Sequence, residues 1–303
     1  MDFPTTIVEM QTQHWLSIII GLIVGLVFFM FGMNVMSGNL EKMSGGKLER
    51  TLKTATANPF ISILLGAAIT IAVQSSSATT VMLVGLVNSG LMTMSQTLYV
   101  IYGANIGTTI TGVLVALKND YFNMAMYLLA FAGVMMGFSK KEKMKLGGLL
   151  CGGLGLIFVG LNIMSSDQAF GNDLVKGLFQ GIFQVIDFPL LLLLVGVIFT
   201  ALIQSSSAAT GVVITMVGTG VMQLDLALFI VLGANIGTCV TALLASIGTS
   251  RAAKRTTCIH LMFNTIGTIL FMVAMTLLRQ AGFMSDLWES VCDSGVIANF
   301  QTV

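Results

Sequence analysis

The chain has 303 residues, of which 55% are hydrophobic and only 9% are charged, and its formal net charge is +1. Soluble domains average about 25% charged residues, so this chain has too few polar side chains to cover a water-soluble globule. The composition excludes an ordinary soluble domain and gives no electrostatic basis for binding nucleic acid. It predicts an all-α integral membrane protein that crosses the bilayer several times.

Eight apolar segments follow one another along the chain, and we expect six of them to be single membrane spans. The second and the sixth segments are longer than the others, and each carries a polar interruption in its middle. In chain order the segments are Trp15–Met36, Pro59–Gly90, Thr97–Leu117, Tyr121–Phe138, Leu146–Met164, Phe188–Gly220, Leu226–Ile247 and Thr256–Leu278.

The two interruptions have the same sequence, Gln-Ser-Ser-Ser (QSSS), at positions 74–77 and 204–207. The apolar arm that precedes the first of them, from Phe60 to Gln74, would be about 22 Å long as a helix, which is shorter than a hydrocarbon core of about 30 Å. We therefore expect each interrupted segment to form a re-entrant hairpin, in which two half-helices meet at a polar tip inside the protein. Two short, tilted spans are the alternative.

The QSSS motifs belong to an internal repeat. Gln74 corresponds to Gln204 at an offset of 130, and the two Gly-Ala-Asn-Ile-Gly-Thr (GANIGT) motifs that begin at Gly103 and Gly233 have the same offset. Upstream, Phe31–Met36 resembles Val159–Met164 at an offset of 128. Repeats of this size in a membrane chain are typical of transporters. The predicted organisation is a tail (1–14), a first repeat (15–138), a basic linker (139–145), a second repeat (146–279) and a C-terminal tail (280–303).

Basic side chains predict the orientation in the membrane, because three loops hold most of the 14 lysines and arginines. With six spans and two hairpins, all three loops fall on one side, which the positive-inside rule makes the cytoplasmic side. We therefore expect a multi-pass protein of the cell (inner) membrane with both termini outside. The loops contain Lys42, Lys47, Arg50, Lys53, Lys140, Lys141, Lys143, Lys145, Arg251, Lys254 and Arg255.

Each repeat contains three full crossings, and this odd number requires the two repeats to have inverted topology. The first hairpin would enter from the cytoplasm and the second from outside, so that the two QSSS tips meet near the midplane of the bilayer. This count does not depend on the hairpins, since two short spans would also return the chain to its starting side.

The polar tips offer two kinds of binding chemistry. The start of each second half-helix has free backbone N–H groups and the positive end of the helix dipole, which suit an anion. The carbonyl ends of the first half-helices, together with amide and hydroxyl oxygens, suit a hard cation. The alternative is that these serines and threonines only pack or bond the preceding helical turn. The repetition of the whole motif at matching positions favours the binding site.

The GANIGT motifs also have two interpretations. Their glycines either form a packing face or weaken the helix, so that an unwound turn carries Asn105, Asn235 and the following threonines to the site. We expect the unwound turn. Near the end of the chain, His260 and Asn264 lie one helical turn apart. A hydrogen bond that holds the fold together is the expected role of this pair, and a proton relay is the alternative.

The paired QSSS and GANIGT motifs, followed by RAAKRTTCIHLMFN (Arg251–Asn264), resemble the type II sodium/phosphate cotransporter family. The resemblance extends from about Phe28 to Leu278 and implies sodium-coupled symport of inorganic phosphate by alternating access, with Na+ as the coupling ion and no other cofactor. Expected phosphate ligands are Ser75, Ser76, Ser77, Ser205, Ser206, Ser207, Asn105 and Asn235. Expected sodium ligands are Gln74, Gln204, Thr79, Thr108, Thr109, Thr210 and Thr238.

The sequence departs from the family pattern in three ways. We expect a bacterial member with neither the large extracellular loop between the halves that animal members carry nor the C-terminal regulatory domain that many bacterial members carry. It ends at Gly295–Val303, where a further apolar segment starts and family members continue, so we expect a shortened chain. The expected partners are inorganic phosphate, Na+ and the lipid bilayer, with assembly as a homodimer.

Three other functions compete with phosphate symport. The same fold could carry another small anion, such as sulfate, arsenate or a carboxylate, because helix N-termini accept any of these. An anion channel would need a continuous pore and has no use for inverted repeats around a closed site. An enzyme is disfavoured, because no carboxylate, metal cluster or base beside a serine nucleophile occurs within the apolar segments.

Overall fold

The computed structural model describes residues 3–44, 51–52, 58–116, 120–186 and 188–282, and these residues form helices and turns without any strand. The prediction of an all-α protein is confirmed. The helices are α1 (Phe3–Ser44), α2 (Pro59–Val73), α3 (Ser76–Asn88), α4 (Met94–Ala116), α5 (Asp120–Gly137), α6 (Glu142–Ser165), α7 (Asp173–Val185), α8 (Pro189–Ile203), α9 (Ser206–Gly218), α10 (Leu224–Gly237), α11 (Cys239–Ala245) and α12 (Arg251–Gln280).

Five stretches of the described helices are long and apolar enough to cross a membrane: His14–Met43, Met94–Val115, Glu142–Ser165, Leu224–Ala245 and Arg251–Leu278. The chain is therefore built as a multi-pass membrane protein. The predicted sixth span corresponds to α5, whose apolar part is shorter than the other five. The helices on either side of the QSSS motifs, α2, α3, α8 and α9, are also too short to span alone.

Two helical features differ from the sequence-based prediction. Helix α1 begins at Phe3, whereas the predicted span begins at Trp15 and leaves residues 1–14 as a tail. Helix α7 lies between the predicted segments Leu146–Met164 and Phe188–Gly220, where the sequence analysis predicts no helix. Its start is fixed by Asn172, whose side-chain oxygen accepts a hydrogen bond from the N–H of Leu174 at 3.0 Å. An asparagine that precedes an acidic first turn is a known start signal, and the prediction missed it.

Part of the predicted charge pattern lies outside the described residues. These positions are Lys47, Arg50 and Lys53, and most of the predicted C-terminal tail, from residue 283 onward, also lies outside the described residues. The other basic loops are described: Lys140 to Lys145 lie around the start of α6, and Arg251 to Arg255 lie in the first turn and a half of α12.

Helices α1, α5 and α6 pack together through glycines. Helix α6 lies against both α1 and α5. A Cβ added at Gly153 would come within 2.7 Å of the carbonyl oxygen of Gly32, and one at Gly155 would press on the backbone of Ala130. Close approach of backbones at small residues is typical of membrane helix pairs. This group contacts the remaining helices through α9, which touches both α1 and α6, and through a contact between α1 and α2.

In both repeats, the half-helix before the QSSS motif packs against the helix that carries the GANIGT motif. Helix α2 packs along α4, and α8 packs along α10. A Cβ at Gly103 of α4 would clash with the carbonyl oxygen of Ile63, and one at Gly233 of α10 would clash with that of Leu193. Positions 103 and 233 correspond in the sequence repeat, so the repeat is matched by equivalent contacts. The glycines of GANIGT therefore form a packing face.

Replacing Gly103 with alanine is expected to destabilise the protein by about 1–3 kcal/mol, because overpacking at a backbone contact forces α2 away from α4. The matched control is Gly85→Ala in α3, where an added Cβ meets no atom within 4 Å. That change is expected to be neutral or to stabilise by up to about 1 kcal/mol, since alanine favours a helix. Thermal unfolding midpoints of the two variants in the same detergent measure the difference. Equal midpoints would contradict the packing role of Gly103.

Candidate functional site

The first QSSS motif interrupts the helix at Gln74. Helix α2 ends at Val73, and Gln74 has left-handed backbone angles, φ 54° and ψ 27°. Ser75 is extended, at φ −150° and ψ 106°, and α3 begins at Ser76. The hydroxyl of Thr70, before the break, donates to that of Thr79, after it, at 3.2 Å. Thr70 and Thr79 are nine residues apart, and in a continuous helix they would be separated by a rise of about 13 Å. The contact between their hydroxyls therefore shows that the chain bends back at the break. The predicted interruption is confirmed.

The second QSSS motif repeats this geometry at the corresponding position of the second repeat. Gln204 is left-handed at φ 58° and ψ 25°, and Ser205 is extended at φ −143° and ψ 106°. In both motifs the glutamine N–H donates to the carbonyl one helical turn earlier, that of Thr70 or Thr200, at 2.6 Å. The sequence repeat therefore produces two equivalent helix breaks.

Both glutamines hold a backbone conformation that is unfavourable for them. They are the two non-glycine residues with positive φ among the described residues. A left-handed conformation costs a residue with a Cβ about 1 kcal/mol or more, and glycine would avoid that cost. Strained positions of this kind cluster at functional sites. The sequence keeps an amide side chain at both positions, which points to a use for that amide.

The first serine of each QSSS motif caps the N-terminus of the half-helix that follows. The hydroxyl of Ser75 accepts from the N–H of Ala78 at 3.1 Å, and that of Ser205 accepts from the N–H of Ala208 at 3.2 Å. These are N-caps, and each satisfies one of the free N–H groups of a first turn. The N–H groups of the next two serines in each motif make no hydrogen bond to other described residues. Each half-helix therefore presents donors and the positive end of its dipole.

Thr111 joins the two motifs. Its hydroxyl donates to the side-chain oxygen of Gln74 at 2.8 Å and lies 3.4 Å from the hydroxyl of Ser207. Thr111 is buried, and it lies in α4, which contacts both α2 and α9. Thr210 of α9 also faces α4 at this level, since a Cβ at Gly112 would lie 3.9 Å from its methyl group. Side chains from the two halves therefore meet at one polar centre.

Several predicted cation ligands are threonines whose hydroxyl groups donate a hydrogen bond to a backbone carbonyl. The hydroxyls of four threonines donate to carbonyl groups in the preceding helical turn at 2.7–3.0 Å. A hydroxyl whose proton is so used presents only lone pairs to a ligand, which suits a cation better than an anion. These residues are Thr79, Thr108, Thr109 and Thr238. The structure does not join Thr108, Thr109 or Thr238 to the motifs by hydrogen bonds, so their sodium-binding role stays a prediction.

The expected unwound turn at GANIGT is wrong for the first half. Helix α4 runs without interruption through the motif, and the amide of Asn105 donates to the carbonyl of Ile101 at 3.2 Å. In the second half, the helix is divided at Thr238 into α10 and α11, although Thr238 keeps right-handed angles. Neither Asn105 nor Asn235 makes a side-chain hydrogen bond to a QSSS motif. Their phosphate-binding role also stays a prediction.

The second half contains two buried hydroxyls without a hydrogen-bond partner among the described residues, those of Thr200 and Thr241. Their equivalents in the first half, Thr70 and Thr111, both have partners. For Thr200 the cause is a sequence difference, because Ala209 stands where the first half has Thr79. Buried polar groups without partners are rare, and both of these lie on the half that carries the second break.

The sequence-based prediction did not include Ser37 or Thr111. The hydroxyl of Ser37, in α1, donates to the carbonyl of Val73 at 2.5 Å. It therefore satisfies one of the carbonyls left free where α2 ends. The signal for Thr111 was the repeat itself, since the corresponding position of the second repeat, 241, is also a threonine. The predicted site residues on α4 ended at Thr109, short of this position.

The expected hydrogen bond between His260 and Asn264 exists, but it does not use the imidazole. The side chain of Asn264 donates to the backbone carbonyl of His260 at 3.0 Å and lies 3.4 Å from the thiol of Cys239. The imidazole is buried, and its Nδ1 has no partner among the described residues. The cluster fastens α12 to α11.

These features define a multi-pass membrane protein with a polar centre between two broken helices, and they correspond to a known family. Residues 28–166 and 169–285 match the Na+/Pi-cotransporter family. The chain belongs to that family, whose members are transporters and not enzymes. The gap in the match, at residues 167–168, lies within the predicted second repeat, shortly before α7. The expected family is confirmed.

Named relatives agree with this assignment. The chain is 32% identical over 262 residues to "Uncharacterized protein YqeW" of Bacillus subtilis, covering 86% of this chain and 83% of that protein. It is 26% identical over 262 residues to "Putative inorganic phosphate export protein YjbB" of Escherichia coli K12, covering 86% of this chain and 47% of YjbB. The chain thus spans about half of YjbB.

A shorter match reaches a human protein. The chain is 34% identical over 111 residues to "Sodium-dependent phosphate transport protein 2B" of Homo sapiens, covering 36% of this chain and 16% of that protein. No solved structure shows a significant match to the chain. The names of these relatives therefore include phosphate export as well as sodium-dependent phosphate transport.

Proposed function

We propose that the protein is a sodium-coupled secondary transporter of inorganic phosphate that works by alternating access. The substrate and the sodium bind between the two QSSS motifs. The observation that carries this proposal is the hydrogen-bonded contact of Thr111 with Gln74 and Ser207, because it joins residues of both halves at one buried centre. A site shared by two repeats can open to one side when the repeats move relative to each other.

The phosphate would lie at the starts of α3 and α9. Their free N–H groups belong to Ser76, Ser77, Ser206 and Ser207, and the hydroxyls of these serines add further donors. Donors that converge from two helix N-termini favour an anion with several oxygens. Ser75 and Ser205 contribute by capping these helices, so their hydroxyls shape the site more than they bind the anion.

Sodium would lie beside the amide oxygens of Gln74 and Gln204, near the carbonyl ends of α2 and α8. Sodium needs only neutral oxygen ligands, and hydroxyls whose protons are already used, such as that of Thr79, supply them. A cation so placed offsets the charge of the anion in a low-dielectric site. The coupling of the two ions follows from this mutual neutralisation.

The proposed topology keeps two re-entrant hairpins and two inverted repeats. The bend at the first break, the matching backbone angles at the second, and the length of α2, α3, α8 and α9 favour hairpins, because none of these helices can span alone. The basic residues Lys140 to Lys145 and Arg251 to Arg255 then mark the cytoplasmic side, and both termini lie outside. Localisation in the cell membrane and assembly as a homodimer belong to the same proposal.

The test is the movement of radiolabelled phosphate in proteoliposomes with and without a sodium gradient. We expect uptake above that of protein-free liposomes when sodium is higher outside, and efflux from loaded vesicles when the gradient is reversed. Excess unlabelled sulfate is expected to compete less well than unlabelled phosphate. If sulfate competes better, the same fold carries another anion. If phosphate moves at the same rate without any sodium gradient and does not accumulate, the protein acts as a channel.

A further inference from the structure

Thr111 and Thr241 occupy equivalent positions in the two repeats but have opposite environments. They are related by the same offset as the QSSS motifs. The hydroxyl of Thr111 bonds Gln74 and lies beside Ser207, so it contacts the glutamine of its own half and a serine of the other half. The hydroxyl of Thr241 is buried and has no partner among the described residues. Its corresponding partners would be Gln204 and Ser77.

The neighbours of the two threonines correspond as well. Helix α4, which carries Thr111, touches α2, which ends before Gln74, and α9, which begins at the second motif. Helix α11, which carries Thr241, touches α8, which ends before Gln204, and α3, which begins at the first motif. Thr241 is therefore placed among the elements that could supply the two bonds it lacks.

The two segments differ in burial. Helix α4 is continuous through its GANIGT motif, and α10 and α11 meet at Thr238, which keeps right-handed angles, so the backbone is helical at this level in both repeats. Two positions before each threonine, Thr109 is exposed and Cys239 is completely buried. The equivalent segments of the two repeats thus adopt two different arrangements in one molecule, one with the hydroxyl bonded and the other with it free.

We propose that Thr111 and Thr241 act alternately, each bridging the two QSSS motifs in one of two conformations of the transporter. In the conformation described here Thr111 makes the bridge and Thr241 is released. In the other, the two repeats exchange arrangements, Thr241 bonds Gln204 and Ser77, and Thr111 loses its bonds. This inference rests on the proposed alternating-access function, because it requires two inverted repeats that exchange roles.

The proposed exchange would change the exposure of the Cys239 thiol. Cys239 is buried here, where it lies against the backbone of Asn235 and His260. In the exchanged conformation it would take the exposed position that Thr109 holds now. Its reactivity therefore reports how often the second conformation is visited. Cys258 of α12, which is not buried by other described residues, provides a second native thiol in the same molecule against which the labelling is normalised.

The experiment measures labelling of Cys239 relative to Cys258 by a small methanethiosulfonate reagent, using mass spectrometry on the full chain in proteoliposomes. Thr111→Val removes the bridge seen here and is expected to raise the labelling rate of Cys239 about five- to tenfold, the shift that one net hydrogen bond gives. Thr241→Val is expected to lower it by a similar factor. Thr111→Ser and Thr241→Ser keep the hydroxyl and are expected to label at nearly the wild-type rate.

A double-mutant cycle separates the alternating bridge from a simple effect on stability. Gln204 has no bond to Thr241 in this conformation, and labelling in choline without phosphate removes its proposed contact with sodium, so Gln204→Ala then reports its contact with Thr241 in the other conformation. We expect Thr241→Val, Gln204→Ala and the double variant to lower labelling by the same factor. Additive effects, or no effect of Gln204→Ala, would overturn the inference. This cycle does not depend on Thr111→Val, which loses an existing bond and could fold less well.

Phosphate movement measured in the same wild-type vesicles keeps the two proposals distinguishable. Phosphate transport without the coupled labelling pattern refutes the alternating bridge and leaves the proposed function standing. The labelling pattern without transport of phosphate supports the bridge and refutes the proposed substrate.

Discussion

Replacing Gln74 or Gln204 with alanine is expected to reduce phosphate transport by about tenfold or more, because the proposed sodium ion loses an amide oxygen ligand, and a polar contact to a charged group is worth about 1.5–3 kcal/mol. Both residues end a half-helix in the same left-handed conformation, and the side-chain oxygen of Gln74 already bonds Thr111 at the contact between the repeats. The protein is expected to remain in the membrane, because neither side chain belongs to the packed apolar core.

Glycine and asparagine variants separate the backbone from the amide. Glycine adopts the left-handed conformation without strain but supplies no amide, whereas asparagine tolerates that conformation and keeps a shorter amide. We expect Gln74→Gly to transport as poorly as Gln74→Ala, and Gln74→Asn to retain more activity than either. Recovery in Gln74→Gly would mean that only the backbone matters. Near-wild-type transport by either alanine variant would exclude that glutamine from the site.

The sequence alone was sufficient to predict the helix breaks. An uninterrupted apolar arm that is too short for a bilayer, followed by four polar side chains, has few stable arrangements in a membrane other than a broken helix. Its recurrence at the corresponding place in the second repeat made the second break predictable from the first. The left-handed angle could not have been read from Gln74, because this conformation is rare for glutamine.

The contacts between elements were less predictable. Glycine lowers the stability of a helix, but it also lets another backbone approach, and the sequence does not say which effect wins. At Gly103 the packing of α2 decides in favour of a continuous helix. Thr111 was missed for a similar reason, since its partners lie 37 and 96 positions away in the chain. Only the fold brings Gln74 and Ser207 to it.

Removing sodium is the second change with a large expected effect. Among the described residues, only neutral oxygens lie near the QSSS motifs, and no carboxylate lies in the middle of an apolar helix. A proton-coupled transporter normally carries an intramembrane acid or histidine on the ion path. The imidazole of His260 is the nearest candidate, but it lies buried beside α11, and among the described residues no hydrogen bond connects it to Gln74, Gln204 or Thr111.

We therefore expect phosphate uptake to fall to the level of protein-free liposomes when choline replaces sodium at constant pH, because the anion then lacks the cation that offsets its charge in the site. His260→Gln is expected to retain sodium-driven uptake, since glutamine fills much of the imidazole volume and the histidine has no role in the proposed ion path. Asn264→Ala, which removes the bond that fastens α12 to α11, serves as the control for damage to this region.

The measurement compares initial uptake rates under a sodium gradient, in choline, and in choline with an imposed proton gradient. Full-rate uptake in choline driven by the proton gradient, and its loss in His260→Gln, would replace sodium with the proton and place His260 on the ion path.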